Sequence, residues 1–149
     1  MDRKEMLAKL APCGLYCGKC LAFAGGPIQE HALALAELLG ENFGAYAERF
    51  SHVEPAFAHF DQFKELLDYL GKGECRGCRE GGCLFKTCKV AACAREKVVD
   101  FCYECESFPC DTHGLPERLE NIWRLNNERM RDKGLETFAK VQDTKPRYP

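Results

Sequence analysis

Residues 75–110 read CRGCREGGCLFKTCKVAACAREKVVDFCYECESFPC, eight cysteines in 36 positions. No packing requirement produces that density, because a buried thiol fills a core no better than Ala or Val. A soft divalent cation held by thiolates does produce it. The stretch opens with Cys75-x2-Cys78, steps through Cys83, Cys88 and Cys93 at five-residue intervals, and closes with Cys102-x2-Cys105-x4-Cys110. A Cys-x2-Cys turn bends the backbone until both sulfurs face one ion, and two such turns resemble the halves of structural zinc sites. The segment therefore reads as metal-tied loop, and the flanking sequence must supply the regular structure.

That structure reads as helix on both sides. Upstream, Pro27 suits a first helical position, and Ile28, Ala32, Leu35, Leu38 and Leu39 follow at three- and four-residue steps until Gly40. Phe43, Tyr46, Ala47 and Phe50 share one side of a second segment. Ser51-His52-Val53-Glu54 forms a capping box ahead of Pro55, and the helix it starts carries Phe57, Phe60, Phe63, Leu67 and Leu70 to a stop at Gly71. This aromatic stripe is expected to be the best core element. Downstream, Pro116 opens a helix with Leu119, Ile122, Trp123, Asn126 and Met130 at helical spacing; Gly134 interrupts it, and Leu135, Phe138 and Val141 suggest one more. The tail, DTKPRYP, is expected to lie extended or frayed at the surface. No alternating β-branched run exceeds a few positions. The expectation is one mainly α domain over 1–149: a helical part at 27–70, a metal-binding part at 75–110, and C-terminal helices at 115–141.

A second cysteine group, Cys13-x3-Cys17-x2-Cys20, lies in APCGLYCGKC near the N-terminus. The same spacing holds the four-iron cluster of radical S-adenosylmethionine enzymes. Those enzymes need most of a β/α barrel, and nothing here alternates strand with helix.

The compartment decides what 11 cysteines mean. The N-terminus interleaves charged and apolar residues and does not match a secretory signal, and no apolar run is long enough for a membrane helix. The chain is expected in the cytoplasm, where disulfides are disfavoured, and an odd count cannot pair off completely. Formal net charge is -2. Residues 72–97 nevertheless hold seven basic groups against three acidic ones, which raises nucleic-acid binding. Charge compensation is the preferred account: Zn2+ with four thiolates is a dianion that neighbouring Lys and Arg offset, and only Phe85 offers a stacking surface there. A protein partner is therefore expected, and no membrane.

Catalytic constellations are scarce, so an enzyme is not expected. No phosphate loop, nucleophile elbow or His-Glu-x-x-His helix is present. His113 has ligand spacing from Cys110, yet Gly114 and Pro116 mark an exposed turn, and a loop histidine is the preferred reading.

Taken together, APCGLYCGKC, the Cys-x-Gly-Cys at 75–78, FCYECESFPC at 101–110, MRDKGLETFAK and KPRYP resemble a cysteine-rich family of bacterial and archaeal proteins, a domain of unknown function. The resemblance spans nearly the whole chain. It implies zinc binding through Cys13, Cys17, Cys20, Cys75, Cys78, Cys88, Cys93, Cys102, Cys105 and Cys110, with Cys83 variable, and it implies no reaction.

The spacings fit neither the bacterial nor the plant-type ferredoxin pattern, so zinc is preferred, in two or three sites, over an iron–sulfur cluster. Cys75 and Cys78 are expected to join two of Cys83, Cys88 and Cys93. Cys102, Cys105 and Cys110 would form a second site with one further cysteine, while Cys13, Cys17 and Cys20 lack an assigned partner. Two functions remain open. One is a structural zinc module that binds another protein; the other is a redox protein carrying a cluster or exchanging thiols.

Overall fold

A computed structural model of the protein describes residues 1–81 and 83–148. Gly82, inside the cysteine segment, and Pro149, the last residue of the expected surface tail, lie outside the described residues. The described residues form seven α-helices and no strand, so the mainly α expectation holds. The helices are α1 Arg3–Lys9, α2 Pro27–Leu39, α3 Phe43–Phe50, α4 Phe60–Gly71, α5 Val90–Glu96, α6 Glu117–Lys133 and α7 Leu135–Thr144. Three short 3-10 turns, Cys17–Lys19, Pro55–His59 and Cys102–Glu104, punctuate the loops. No helix among the described residues is long and apolar enough to cross a membrane.

Backbone contacts divide the chain into two compact units, Met1–Cys20 with Cys75–Pro149, and Leu21–Glu74. All eleven cysteines fall in the first. The second is a three-helix insert in which α2 packs on α4 and α3 packs on the Pro55–His59 turn. Its entry differs from the expected capping box. Ser51 ends α3, its hydroxyl donating to Glu48 O at 2.6 Å, and Glu54 is the residue that caps, accepting from Ala56 N at 3.1 Å. The reason is that the helix of Phe43–Phe50 runs to its last aromatic, so the serine directly after it is consumed as the C-cap. The aromatic stripe also buries less than expected. Leu67 is buried and Phe63 is 43% exposed, with the rings meeting each other instead (Phe43–Phe60 at 5.1 Å, Phe50–Phe57 at 5.4 Å) around an open apolar groove of about 360 Å3.

The tightest packing lies in the cysteine-bearing unit. Met6, Leu10, Tyr16, Phe101, Met130, Phe138 and Ala139 form one cluster. Ala11, Cys13, Val90 and Trp123 form another, into which Cys17, Cys78, Cys88, Cys102 and Cys110 pack as partly buried walls. Helix α6 organises both. Acidic Glu117 and Glu120 sit in its first turn and Arg131 and Lys133 in its last, matching the helix dipole, and Gly134 at φ 82° ends it. Its buried face carries two asparagines that tie cysteine loops down. Asn126 Nδ2 donates to Gly14 O at 3.0 Å, and Asn127 Oδ1 accepts from Tyr103 N at 3.0 Å, with Asn127 Nδ2 donating to Trp123 O.

Close approach of the first loop depends on Gly14. Its φ is 79°, and a Cβ there would lie 2.7 Å from Asn126 Cβ. Gly14→Ala must both adopt a left-handed backbone and push the loop off α6, so it is expected to cost about 2 kcal/mol or more. The check is the urea midpoint of the reduced, metal-loaded protein; an unchanged midpoint contradicts the packing described. The tail keeps to the surface, as expected, but does not fray. Asp143 and Thr144 still belong to α7, Tyr16 Oη donates to Asp143 Oδ1 at 2.7 Å, Lys19 Nζ donates to the carbonyls of Asp143 and Lys145, and Tyr148 Oη reaches Cys20 Sγ at 3.6 Å. Short-range polarity suggested fraying; hydrogen bonds spanning more than a hundred residues pin it instead.

Candidate metal centre

Every one of the eleven cysteines is unpaired, and each is buried or half-buried. They fall into two neighbourhoods. Cys93, Cys102, Cys105 and Cys110 line one cavity of about 30 Å3, walled otherwise by Ala94, Lys97, Val99, Phe108 and Trp123. The other seven, Cys13, Cys17, Cys20, Cys75, Cys78, Cys83 and Cys88, influence one another electrostatically. Cys78 hydrogen-bonds with both Cys17 and Cys83, Cys20 and Cys83 act on Cys75, and Cys13 feels Cys78, Cys88 and Cys102 from between the two groups.

This division falls within the grouping read from spacing and narrows it: Cys83 and Cys88 are the two that stay near Cys75 and Cys78, and Cys93 is the further cysteine of the second group. Cys93 lies with Cys102, Cys105 and Cys110, not with Cys75 and Cys78, because α5 carries it away from the Cys83–Cys88 loop. The unassigned N-terminal group meets Cys75, Cys78 and Cys83. Sequence spacing holds no record of which loops meet across 60 residues. His113 is not an exposed loop residue. It is 8% exposed, its Nδ1 accepts from Leu115 N at 2.9 Å, its Nε2 lies 3.8 Å from Glu120 Oε2, and its ring sits 4.8 Å from that of Trp123. Nδ1 thus has a partner other than sulfur, and Nε2 faces a carboxylate.

Among the described residues no three sulfur, imidazole or carboxylate groups close to the spacing of a bound ion. Whether a cation fits is therefore tested by the donor set and by what points at it. Burial is the first cause raising the thiol pKa at Cys13, to about 12, and at Cys102, to about 11; it also raises Cys75, Cys83 and Cys88. At Cys78 the hydrogen bond with Cys17 is the larger cause and burial adds to it. Neighbouring sulfurs push the same way, since each resists a second negative charge beside it. Against this, backbone N–H groups are aimed at sulfur and favour the thiolate: Leu15 on Cys13, Gly77 on Cys75 (3.4 Å), Phe85 on Cys83, and Val90 with Ala91 on Cys88. In four of these the donor lies two residues after the sulfur, the geometry of a loop wrapped round an anion.

Two side chains extend the pattern. The indole N–H of Trp123 is buried without a hydrogen-bond partner, and its proximity lowers the Cys102 pKa against burial. Arg79, half-buried beside Cys78, donates to the carbonyls of Leu7, Leu10 and Asp100 and lies 5.1 Å from the Phe101 ring. Its fixed charge favours the Cys78 thiolate, whereas Arg76, Lys86, Lys89, Arg95 and Lys97 are exposed. Neither Trp123 nor Arg79 was marked as functional by spacing. The only available signal was a lone Trp in a helix otherwise rich in charge, and an Arg directly after a cysteine. A crowd of soft donors with N–H groups beside them suits zinc or iron.

The family model described as a protein of unknown function (DUF3795) matches residues 9–114, a span containing all eleven cysteines. The chain belongs to the DUF3795 family. No curated protein and no solved structure matches it. In this DUF3795 member, α6 and α7 lie beyond the matched span, yet Asn126, Asn127 and Trp123 from α6 hold the cysteine loops within it.

Proposed function

We propose that this chain is a cytoplasmic zinc protein whose ions are structural. One ion takes Cys93, Cys102, Cys105 and Cys110; at least one more takes sulfurs from Cys13, Cys17, Cys20, Cys75, Cys78, Cys83 and Cys88. The observation that carries the reading is the gathering of eleven unpaired, buried or half-buried sulfurs into two neighbourhoods, with Gly77 N donating to Cys75 Sγ at 3.4 Å and backbone N–H groups favouring the thiolate at Cys13, Cys83 and Cys88. A neutral thiol is a weak acceptor and rewards no such arrangement, whereas a metal-bound thiolate does. The ion supplies charge neutralisation and a crosslink between loops; Trp123 and Arg79 add fixed positive ends of dipole and charge.

The working surface of such a module is the insert. Leu21–Glu74 carries nine acidic and three basic residues round an apolar groove lined by Leu35, Leu39, Phe43, Phe57, Phe60 and Phe63, which suits an apolar protein segment flanked by basic residues.

Protein purified without oxygen should be colourless and return two or three zinc ions per chain by elemental analysis. A brown preparation that bleaches with dithionite establishes the iron–sulfur alternative, and a metal-free one with rapidly titrating thiols establishes thiol exchange. The raised thiol pKa values add a quantitative expectation. In the metal-free reduced protein the buried thiols are protonated at pH 7, so binding must expel protons, about four per zinc at a four-sulfur site. Affinity therefore climbs with pH. Calorimetry in buffers of differing ionisation enthalpy reads the count; release near zero contradicts thiolate ligation.

A further inference from the structure

A cavity of about 300 Å3 lies where the loop at residues 15–19 meets α6 and the end of α7, and no cysteine lines it. Its floor is apolar: Leu15, Ile122, Leu125 and the Tyr16 ring. Four cations line it, Lys19, Arg129, Lys145 and Arg147, with no carboxylate among its walls. Elsewhere the chain pairs such groups, Arg3 with Asp100, Arg124 with Glu120 and Lys140 with Glu136. Among the described residues none of these four takes part in an ion pair.

The acid nearest in sequence to Lys145 and Arg147, Asp143, accepts from the Tyr16 hydroxyl at 2.7 Å. Lys19 Nζ donates to the main-chain oxygens of Asp143 and Lys145, neutral acceptors that leave its charge uncompensated. Arg147 is the most telling. Its Nε is buried without a hydrogen-bond partner while its guanidinium lies 5.2 Å from the Tyr148 ring. A buried unsatisfied donor on a charged group is costly, and like charges gathered over an apolar floor repel; a bound anion relieves both.

We propose that this cavity binds a small organic anion, a phosphate or carboxylate carried on a flat apolar body. The anion sits against Arg129, Lys145 and Arg147, and the body lies on Leu15, Ile122 and Leu125. The volume, at the low end for ligand pockets, suits a single ring. The proposal is independent of the metal reading, because its residues carry the charge without any sulfur.

The test is calorimetric titration of the metal-replete full chain with phenyl phosphate and with benzoate, against inorganic phosphate for charge alone and benzamide for the ring alone. One aromatic anion is expected to saturate one site per chain and to bind about tenfold more tightly than either control. The tighter of the two assigns phosphate or carboxylate. Arg129→Gln, at an exposed position, and Arg147→Gln are each expected to weaken binding about tenfold with metal content unchanged. A loss in either variant supports the site. Absence of saturable binding at millimolar probe, equal binding of benzamide, or affinity unaltered in both variants overturns it. Displacement of the probe by a tighter-binding single-stranded oligonucleotide also overturns it, in favour of a nucleic-acid backbone.

Discussion

Exhaustive chelation of the fully reduced protein is expected to unfold the cysteine-bearing unit, and the single tryptophan reports it. Trp123 is 1% exposed and lies against Cys102, Phe108 and the cavity shared by four sulfurs. Its emission should shift to the red as the ions leave. The magnitude follows from comparing two quantities. Structural zinc contributes about 10–16 kcal/mol at neutral pH, whereas a whole domain of this size is stable by only about 5–15 kcal/mol. Removing even one ion therefore exceeds what the apolar clusters around Leu10, Phe101 and Trp123 can offset. Single substitutions separate the two groups. Cys110→Ser should lower the zinc content by one ion per chain and reproduce the red shift. Cys83→Ser leaves six sulfurs in its group to hold an ion, so it should keep the zinc content and leave the tryptophan emission nearly unmoved. Measured by fluorescence and elemental analysis together, an unshifted emission in a metal-free sample would sink the structural-zinc reading.

The helices were legible in the sequence for a simple reason: their signals are local. Pro27 to Gly40 and Pro116 to Gly134 are bounded by residues whose own backbone preferences start and stop a helix, and α2 and α6 fill those spans. Where the core lies was not local. The Phe57–Phe63 stripe has strong helical periodicity, yet periodicity says only that one face is apolar, and the insert leaves that face round an open groove. The heaviest burial falls instead on Trp123, Phe101, Leu10 and Met130, residues scattered over a hundred positions. The cysteines show the same limit. Their chemistry is stated by residue type and density, while the partition of Cys93 to the C-terminal group is set by the turn of α5. Asn127 was invisible for a different reason. A polar residue at a helical position ordinarily faces water, and only the approach of Tyr103 N makes its complete burial affordable.

Trp123→Ala is expected to destabilise the protein by about 3–5 kcal/mol, through the lost transfer of the indole and the cavity left behind. The ring packs edge-on against Phe108 at 5.0 Å and against His113 at 4.8 Å, so both neighbours lose a wall at once. That effect alone establishes only packing. Trp123→Phe separates packing from electrostatics, because it keeps an aromatic body while deleting the N–H that acts on Cys102. Burial already holds the Cys102 thiol up at about 11, and the indole is what opposes it. Without the indole, ionising Cys102 costs more and the ion at Cys93, Cys102, Cys105 and Cys110 binds less tightly. A loss of about tenfold in zinc affinity at that site is expected, in the range for partners that orient and stabilise metal ligands. Competition against a chromophoric chelator reads it site by site. Because metal ligation requires the thiolate, the deficit should stay constant while pH lies well below the Cys102 pKa and shrink as pH rises through it. A deficit that does not shrink at alkaline pH would mean the indole acts through packing alone, and an unchanged affinity in Trp123→Phe would remove it from the metal site altogether.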